Sequence, residues 1–417
     1  MAGAPVAPAT SRAERVAVAT SILFLFVAPA AASGGTRASC LIVAALALLV
    51  SGAWREAWEH RPSTALFAVL CVWFLLAPLS LAWSVDRQYT FEELRAETFY
   101  TLLAFLVFYA LASDPRRWRM WCVALFAGTL ATLAAKELQQ GFGLTLWRHS
   151  PDGGPGAFST HLVLVAPLFV ALVWEPPWGL RRGAAFIAGA LIALVAAAWT
   201  TREPWTTPNR IVWLAFAVVL LAAIAATRAA RGFEHASRPG LRAVIIAGSV
   251  ALAIAFAAAI AAKNDRYYRT DPSPTASVDQ DLRPRLWSLG VEKLKEAPWV
   301  GHGFGREILA RTFLPETPRG VEHPPLLHGH NAFLDIALQL GLVGLAAFVA
   351  VLAMLVRQYS QLLARPDVSV LGVIGLALLA GFVTKNLTDD FMHRHNAQVF
   401  WALNGMLLGF AARRRTA

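Results

Sequence analysis

The stretch from His328 to Asp335 reads HGHNAFLD, two imidazoles, an amide and a carboxylate at the head of a long apolar run. An imidazole that titrates near neutrality can take a proton from a hydroxyl. Asn331 and Asp335 are four apart and share one face of any helix that begins there. Both also have a plain structural use, since an asparagine caps a helix N-terminus and a first-turn carboxylate complements the helix dipole. Capping leaves His330 unexplained, so His330 is the candidate general base, with Asn331, Asp335 and His328 in support. A metal site from His323, His328 and His330 is the competing reading. Their spacing is not that of a helix-borne zinc pair and no dedicated carboxylate accompanies them, so no metal is expected.

Cations are the second chemical element. PNRIVWLAF places Arg210 at the start of an apolar helix, where a guanidinium needs either a phosphate headgroup or a bound anion to offset its desolvation. Further along, DQDLRPRLWSLGVEKLKEAPWVGHGFG sets Leu282, Leu286, Leu289 and Leu294 at roughly helical spacing, with Arg283, Arg285, Lys293 and Lys295 on the other faces. This predicts an amphipathic helix at a membrane interface, ended by Pro298 and a Gly-rich turn at Gly301, Gly303 and Gly305. Arginines suit a diphosphate because paired N–H donors reach two oxygens at once.

The elements that must hold these groups are membrane helices. Hydrophobic residues make up 57% of the 417-residue chain and charged residues 15%, against roughly 25% charged in soluble domains, and mean hydropathy is +0.52. The expected fold is an all-α polytopic membrane protein. Runs near 14–32, 37–54, 63–83, 97–113, 118–135, 157–174, 183–200, 210–228, 242–262, 331–356, 368–386 and 395–412 are apolar enough to span a bilayer, giving twelve candidate helices. The first also has the pattern of an export signal, ending in Ala-Pro-Ala-Ala-Ala-Ser; eleven further spans make a retained helix the better reading. Residues 1–262 then form nine spans, 263–330 one large helical outer segment, and 331–417 the last three spans. A structureless connection of that length would be unusual, which argues for helices within it.

The net charge of +11 resolves into short clusters between spans. With the N-terminus inside, every inner segment holds at least two arginines, from Arg12 and Arg15 through Arg116, Arg117 and Arg119 to Arg413, Arg414 and Arg415. The positive-inside rule therefore places both termini in the cytoplasm and explains the basic excess without nucleic acid. Only His60 and His235 of the ten histidines fall inside, so the chemistry faces outward. No phosphate-binding Gly-rich loop followed by Lys and Ser or Thr is present, which excludes direct use of ATP. Cys40, Cys71 and Cys122 lie apart in apolar runs and read as small buried hydrophobes.

An arginine at the outer start of a mid-chain helix, then RPRLWSLGVEKLKEAPWVGHGFG, then HNAFLDIALQLGLVG: this order resembles the O-antigen ligase family. These membrane enzymes join O-antigen polysaccharide to the lipid A–core of lipopolysaccharide. The pattern is met by His330, Asn331, Leu334, Gly341 and Gly344, with Gln339 where a glutamate is common. The outer-segment arginine matches Arg285, with Arg283 adjacent; an earlier Ser-Arg element appears as Asn209 and Arg210. GGPGAFSTHLVLVAPL resembles another element, with His161 in place of an asparagine. The resemblance implies a GT-C-like glycosyltransferase in the bacterial inner membrane with its site facing the periplasm. Its donor would be undecaprenyl-diphosphate-linked O-antigen and its acceptor the lipid A–core, with membrane lipids as surroundings and no metal, nucleotide or other cofactor. His330 would be the base and Arg210, Arg285 and Arg283 would bind the diphosphate. An O-antigen polymerase or a protein O-oligosaccharyltransferase would share the donor; protein-glycosylating members tend to be longer, which favours the ligase. A lipid-linked sugar transporter is expected to carry charges near the midplane and two-half repeats, and neither is visible in the sequence.

Overall fold

The computed structural model describes residues 11–141, 155–168, 211–230, 283–313, 329–388, 390 and 392–414. Among them the regular elements are all helical. In chain order they are α1 (Arg12–Val27), α2 (Gly34–Ser51), α3 (Ala53–Glu59), α4 (Thr64–Leu79), α5 (Arg87–Glu93), α6 (Tyr100–Leu111), α7 (Pro115–Gly141), α8 (Pro155–Val165), α9 (Ile211–Ala229), α10 (Arg283–Glu296), α11 (Ile308–Phe313), α12 (Ala332–Leu362), α13 (Ser369–Asn386) and α14 (Arg394–Arg413). A π-helical turn, Leu94–Phe99, joins α5 to α6. Six of the described helical stretches are long and apolar enough to cross a membrane, and Gly156–Val165 and Leu214–Ala229 are shorter apolar helices. The chain is a polytopic helical membrane protein. The expected spans at 183–200 and 242–262 lie outside the described residues.

Local chemistry sets several boundaries. Ser11 Oγ accepts the Glu14 N–H at 3.1 Å and caps α1, while α2 ends where Gly52 takes a left-handed φ of 74°. The axis of the bundle is α14, buried from His395 to Ala411. It carries too many polar groups to read as a simple span, and it lies close against α6 because Gly405 and Gly409 form a Gly-x-x-x-Gly stripe. A methyl group on Gly405 would overlap the Phe105 carbonyl, and one on Gly409 would sit 2.5 Å from the Tyr109 carbonyl. The buried amide of Asn404 is satisfied across helices, accepting from Tyr359 Oη at 2.7 Å and donating to the Phe400 carbonyl at 2.8 Å.

Long-range bonds sort the interhelical segments onto two ends. At one end Arg117 pairs with Glu14, Tyr109 Oη donates to the His60 carbonyl, Arg413 Nε reaches Glu56 at 3.1 Å, and Gln358 reaches Ser63 at 2.9 Å. At the other, Arg37 donates to Gln398 at 3.2 Å, Asn396 to the Ala157 carbonyl at 3.1 Å, and Asn331 to the Leu387 carbonyl at 3.1 Å. The first end gathers the arginine-rich segments and the second the head of α12.

Candidate functional site

Gly341 interrupts α12 with φ 68° and ψ −170°. The interruption is filled by the chain running from Pro298 to Gly305, which replaces the bonds the helix loses. Leu342 and Val343 donate to the Pro298 and Trp299 carbonyls at 2.8 and 3.2 Å; the Leu338 and Gln339 carbonyls accept from His302 and Gly303 at 2.9 and 3.0 Å. The Gln339 side chain adds a fifth bond, its Oε1 accepting from the Gly305 N–H at 3.0 Å. The two chains approach so closely that a methyl group on Gly341 would overlap the Trp299 carbonyl, and one on Gly301 (φ 68°) would lie 2.5 Å from the Gln339 carbonyl. Glycine is required on both sides of this seam.

The opposite edge of the 298–305 segment is tied to the 80–90 region. Val85 donates to the His302 carbonyl at 3.0 Å, Trp83 Nε1 to the Val300 carbonyl at 2.9 Å and Thr90 Oγ1 to the Phe304 carbonyl at 2.7 Å. Tyr89 Oη accepts the Glu307 N–H at 2.8 Å. The predicted amphipathic helix is present as α10, and its buried face, Leu286 and Leu289, lies against protein: Leu294 joins Leu309, Leu334 and Leu338 in one apolar cluster.

At the head of α12, Asn331 is the N-cap, accepting from the Phe333 and Leu334 N–H groups at 3.0 and 3.1 Å. Asp335 is buried and accepts the Gly329 N–H at 2.8 Å. The Gly329 carbonyl in turn accepts from Trp287 Nε1 of α10 at 2.7 Å. Gly329 is thus clamped on both sides, and the next residue, His330, is half-buried in the left-handed region at φ 51°. A non-glycine residue held there is strained by about 1–2 kcal/mol. The clamp joins two of the sequence-derived features, because Arg283 and Arg285 lie in the first turn of α10 beside Trp287. Arg210 and His328 lie outside the described residues. His161 is placed elsewhere, fully buried in α8, with Nε2 3.0 Å from Thr129 Oγ1 and its ring over Phe158.

One group of ionisable residues is absent from the sequence-derived set. A cavity of about 40 Å³ at the same end is lined by Glu97, Thr101, Arg306, Gln339, Asp390 and His393 over a floor that includes Trp73 and Trp401. That is room for about three waters. His393 Nε2 lies 3.3 Å from Glu97 Oε1 and 3.8 Å from Glu93 Oε2; Arg306 Nε lies 3.6 Å from Asp390 Oδ2. Arg394, itself at φ 47°, gives its N–H to Glu97 Oε2 at 2.6 Å. Glu93, Glu97 and His393 are the one trio among the described residues with a metal-type donor set. Buried ionisable groups at the end of a membrane bundle mark functional ground. The sequence signal for it is the acidic run FEELRAE at 91–97.

Residues 205–349 match the family model of the O-antigen ligases. The matched span takes in α9, α10, the Pro298–Gly305 seam, the His330 turn and the break in α12. The chain resembles the O-antigen ligases. It is also 26% identical over 306 residues to the O-antigen ligase of Pseudomonas aeruginosa, an alignment covering 70% of this chain and 65% of that protein. The chain therefore spans less than two thirds of this relative's length, and the matched residues take in the meeting of the Pro298–Gly305 segment with α12.

Proposed function

We propose that this protein is an O-antigen ligase of the bacterial inner membrane. It moves O-antigen from undecaprenyl diphosphate to a sugar hydroxyl of the lipid A–core, at a site facing the periplasm, with both termini in the cytoplasm. In the transfer the acceptor hydroxyl gives its proton to the His330 imidazole as its oxygen bonds to the anomeric carbon. The carbon–oxygen bond to the diphosphate breaks and its electron pair leaves with the lipid diphosphate. Charge therefore grows on the leaving group, and Arg210 and Arg285, with Arg283 adjacent, are the cations assigned to it. Guanidinium groups supply this stabilisation without a metal or a nucleotide. Asp335 and Asn331 set the geometry of the base.

The observation that carries this reading is the Trp287 to Gly329 bond at 2.7 Å. It fixes the arginine-bearing turn of α10 to the residue preceding the base, as a reaction needing an anion site and a proton acceptor together requires. The two ends of the bundle support the orientation, since the arginine-rich segments cluster away from His330. The test is transfer by purified protein, given lipid-diphosphate-linked glycan and rough lipopolysaccharide, in EDTA and without ATP. A larger lipopolysaccharide band, lost in His330→Ala, is the expected result. Donor consumed into longer lipid-linked chains would instead identify a polymerase, and an inert donor would overturn the transferase reading.

A further inference from the structure

At the arginine-rich end, α1 and α7 run parallel and enclose a groove of about 600 Å³ that faces outward from the bundle. Its walls are two helical stripes, each at i, i+3, i+4, i+7: Ala19, Ile22, Leu23 and Phe26 on α1, and Arg116, Arg119, Met120 and Val123 on α7. The helices close together at the far end, where a methyl group on Gly128 would overlap the Phe26 carbonyl. The seven helical steps from Ala19 to Phe26 give a groove about 10 Å long, two thirds of a leaflet of about 15 Å. Its volume falls in the range of small-molecule sites.

The three arginines at this level divide by use. Arg117 is buried, paired with Glu14 and bonded to the Leu111 carbonyl at 2.9 Å. Arg116 and Arg119 are exposed at the mouth of the groove, and among the described residues neither guanidinium has a protein partner. Leu23, Phe26 and Met120 are 45%, 40% and 40% exposed below them. An apolar channel as deep as a partial acyl chain, opening beneath two unpaired cations three residues apart, is complementary to one class of ligand.

We propose that this groove is a binding site for a single anionic glycerophospholipid of the leaflet at that end. Its phosphate sits between Arg116 and Arg119, and one acyl chain lies along the seam between α1 and α7. The proposal is independent of the reaction, because the groove is at the opposite end of the bundle from His330.

The test uses the full chain in nanodiscs containing phosphatidylglycerol and phosphatidylcholine, with retained lipid counted by native mass spectrometry. One phosphatidylglycerol per chain should be kept in preference to phosphatidylcholine. The double substitution Arg116→Gln with Arg119→Gln should weaken that retention roughly 30-fold, from about 1 kcal/mol per cation near a headgroup. Arg116→Lys with Arg119→Lys should keep most of it, since the charge stays. Ala19→Trp fills the channel and should release the lipid with both arginines in place. Equal retention of the two lipids by the unaltered protein, or a glutamine variant that keeps phosphatidylglycerol fully, would overturn the site.

Discussion

Removing the Asp335 carboxylate tests the clamp that shapes the base. His330 at φ 51° carries about 1–2 kcal/mol of strain. Against it stand two bonds on Gly329: its N–H to Asp335 Oδ1 at 2.8 Å, worth about 1.5–3 kcal/mol because the acceptor is charged, and its carbonyl from Trp287 at 2.7 Å, worth about 1 kcal/mol. At the middle of these ranges the surplus is about 1.75 kcal/mol. Trp287→Phe leaves about 0.75 kcal/mol of it, enough to keep the turn mostly populated, so activity should fall by less than about twofold. Asp335→Ala removes the larger bond and brings the turn near balance, lowering transfer about two- to threefold. Doing both should lower it by more than the product of the two single losses, because strain then exceeds what holds the turn. Asp335→Asn keeps an acceptor oxygen and should recover much of the loss. The assay is initial rate of lipopolysaccharide elongation at saturating donor, with thermal unfolding followed in parallel. Full activity in Asp335→Ala, in protein that melts like the parent, would refute the clamp.

Other expectations follow from single contacts. Gly341→Ala must displace the Trp299 carbonyl and adopt a positive φ, so it should lose about 3 kcal/mol and show an early unfolding transition by differential scanning fluorimetry; an unchanged melt would mean the seam is not as close as described. His393→Ala removes the side chain that Glu93 and Glu97 share at the cavity, a loss of about 1–2 kcal/mol, and the companion Glu97→Gln in the same chain should restore part of it; a melt insensitive to both would show that the trio is not coupled. Arg285→Ala should raise the donor concentration needed for half-maximal transfer, and Arg285→Lys should rescue poorly for lack of a bidentate fork; equal rescue by lysine would remove the diphosphate role.

The membrane character, helices at ten of the twelve expected positions, six of them long and apolar enough to cross a membrane, the capping by Asn331 and the α10 helix were legible because each depends on neighbours in sequence. Apolar run length, a cap residue and helical spacing of leucines are local signals. The break at Gly341 was not legible, although GLVG and GHGFG were both noticed. Neither stretch alone shows that the Leu338 and Gln339 carbonyls bond to residues near 302; that pairing exists only once α10 turns the chain back. The Glu97, Arg306, Asp390 and His393 cluster was missed for the same reason, since its members come from three separate segments. His161, singled out by local resemblance, is buried by the fold against Thr129 and Phe158, surroundings that its own stretch of sequence does not show.

The seam between Pro298–Gly305 and α12 also bears on how the protein is made. Synthesis runs from the N-terminus, so the strip that completes the helix is made before the helix exists. When α12 enters the bilayer its ladder is open at Gly341, with two carbonyls and two N–H groups facing a solvent that offers them no partners. The strip is already in place, anchored on one edge by Trp83, Val85 and Thr90. Assembly thus has a built-in order: the earlier hairpin of segments is the template, and the late helix is finished on it.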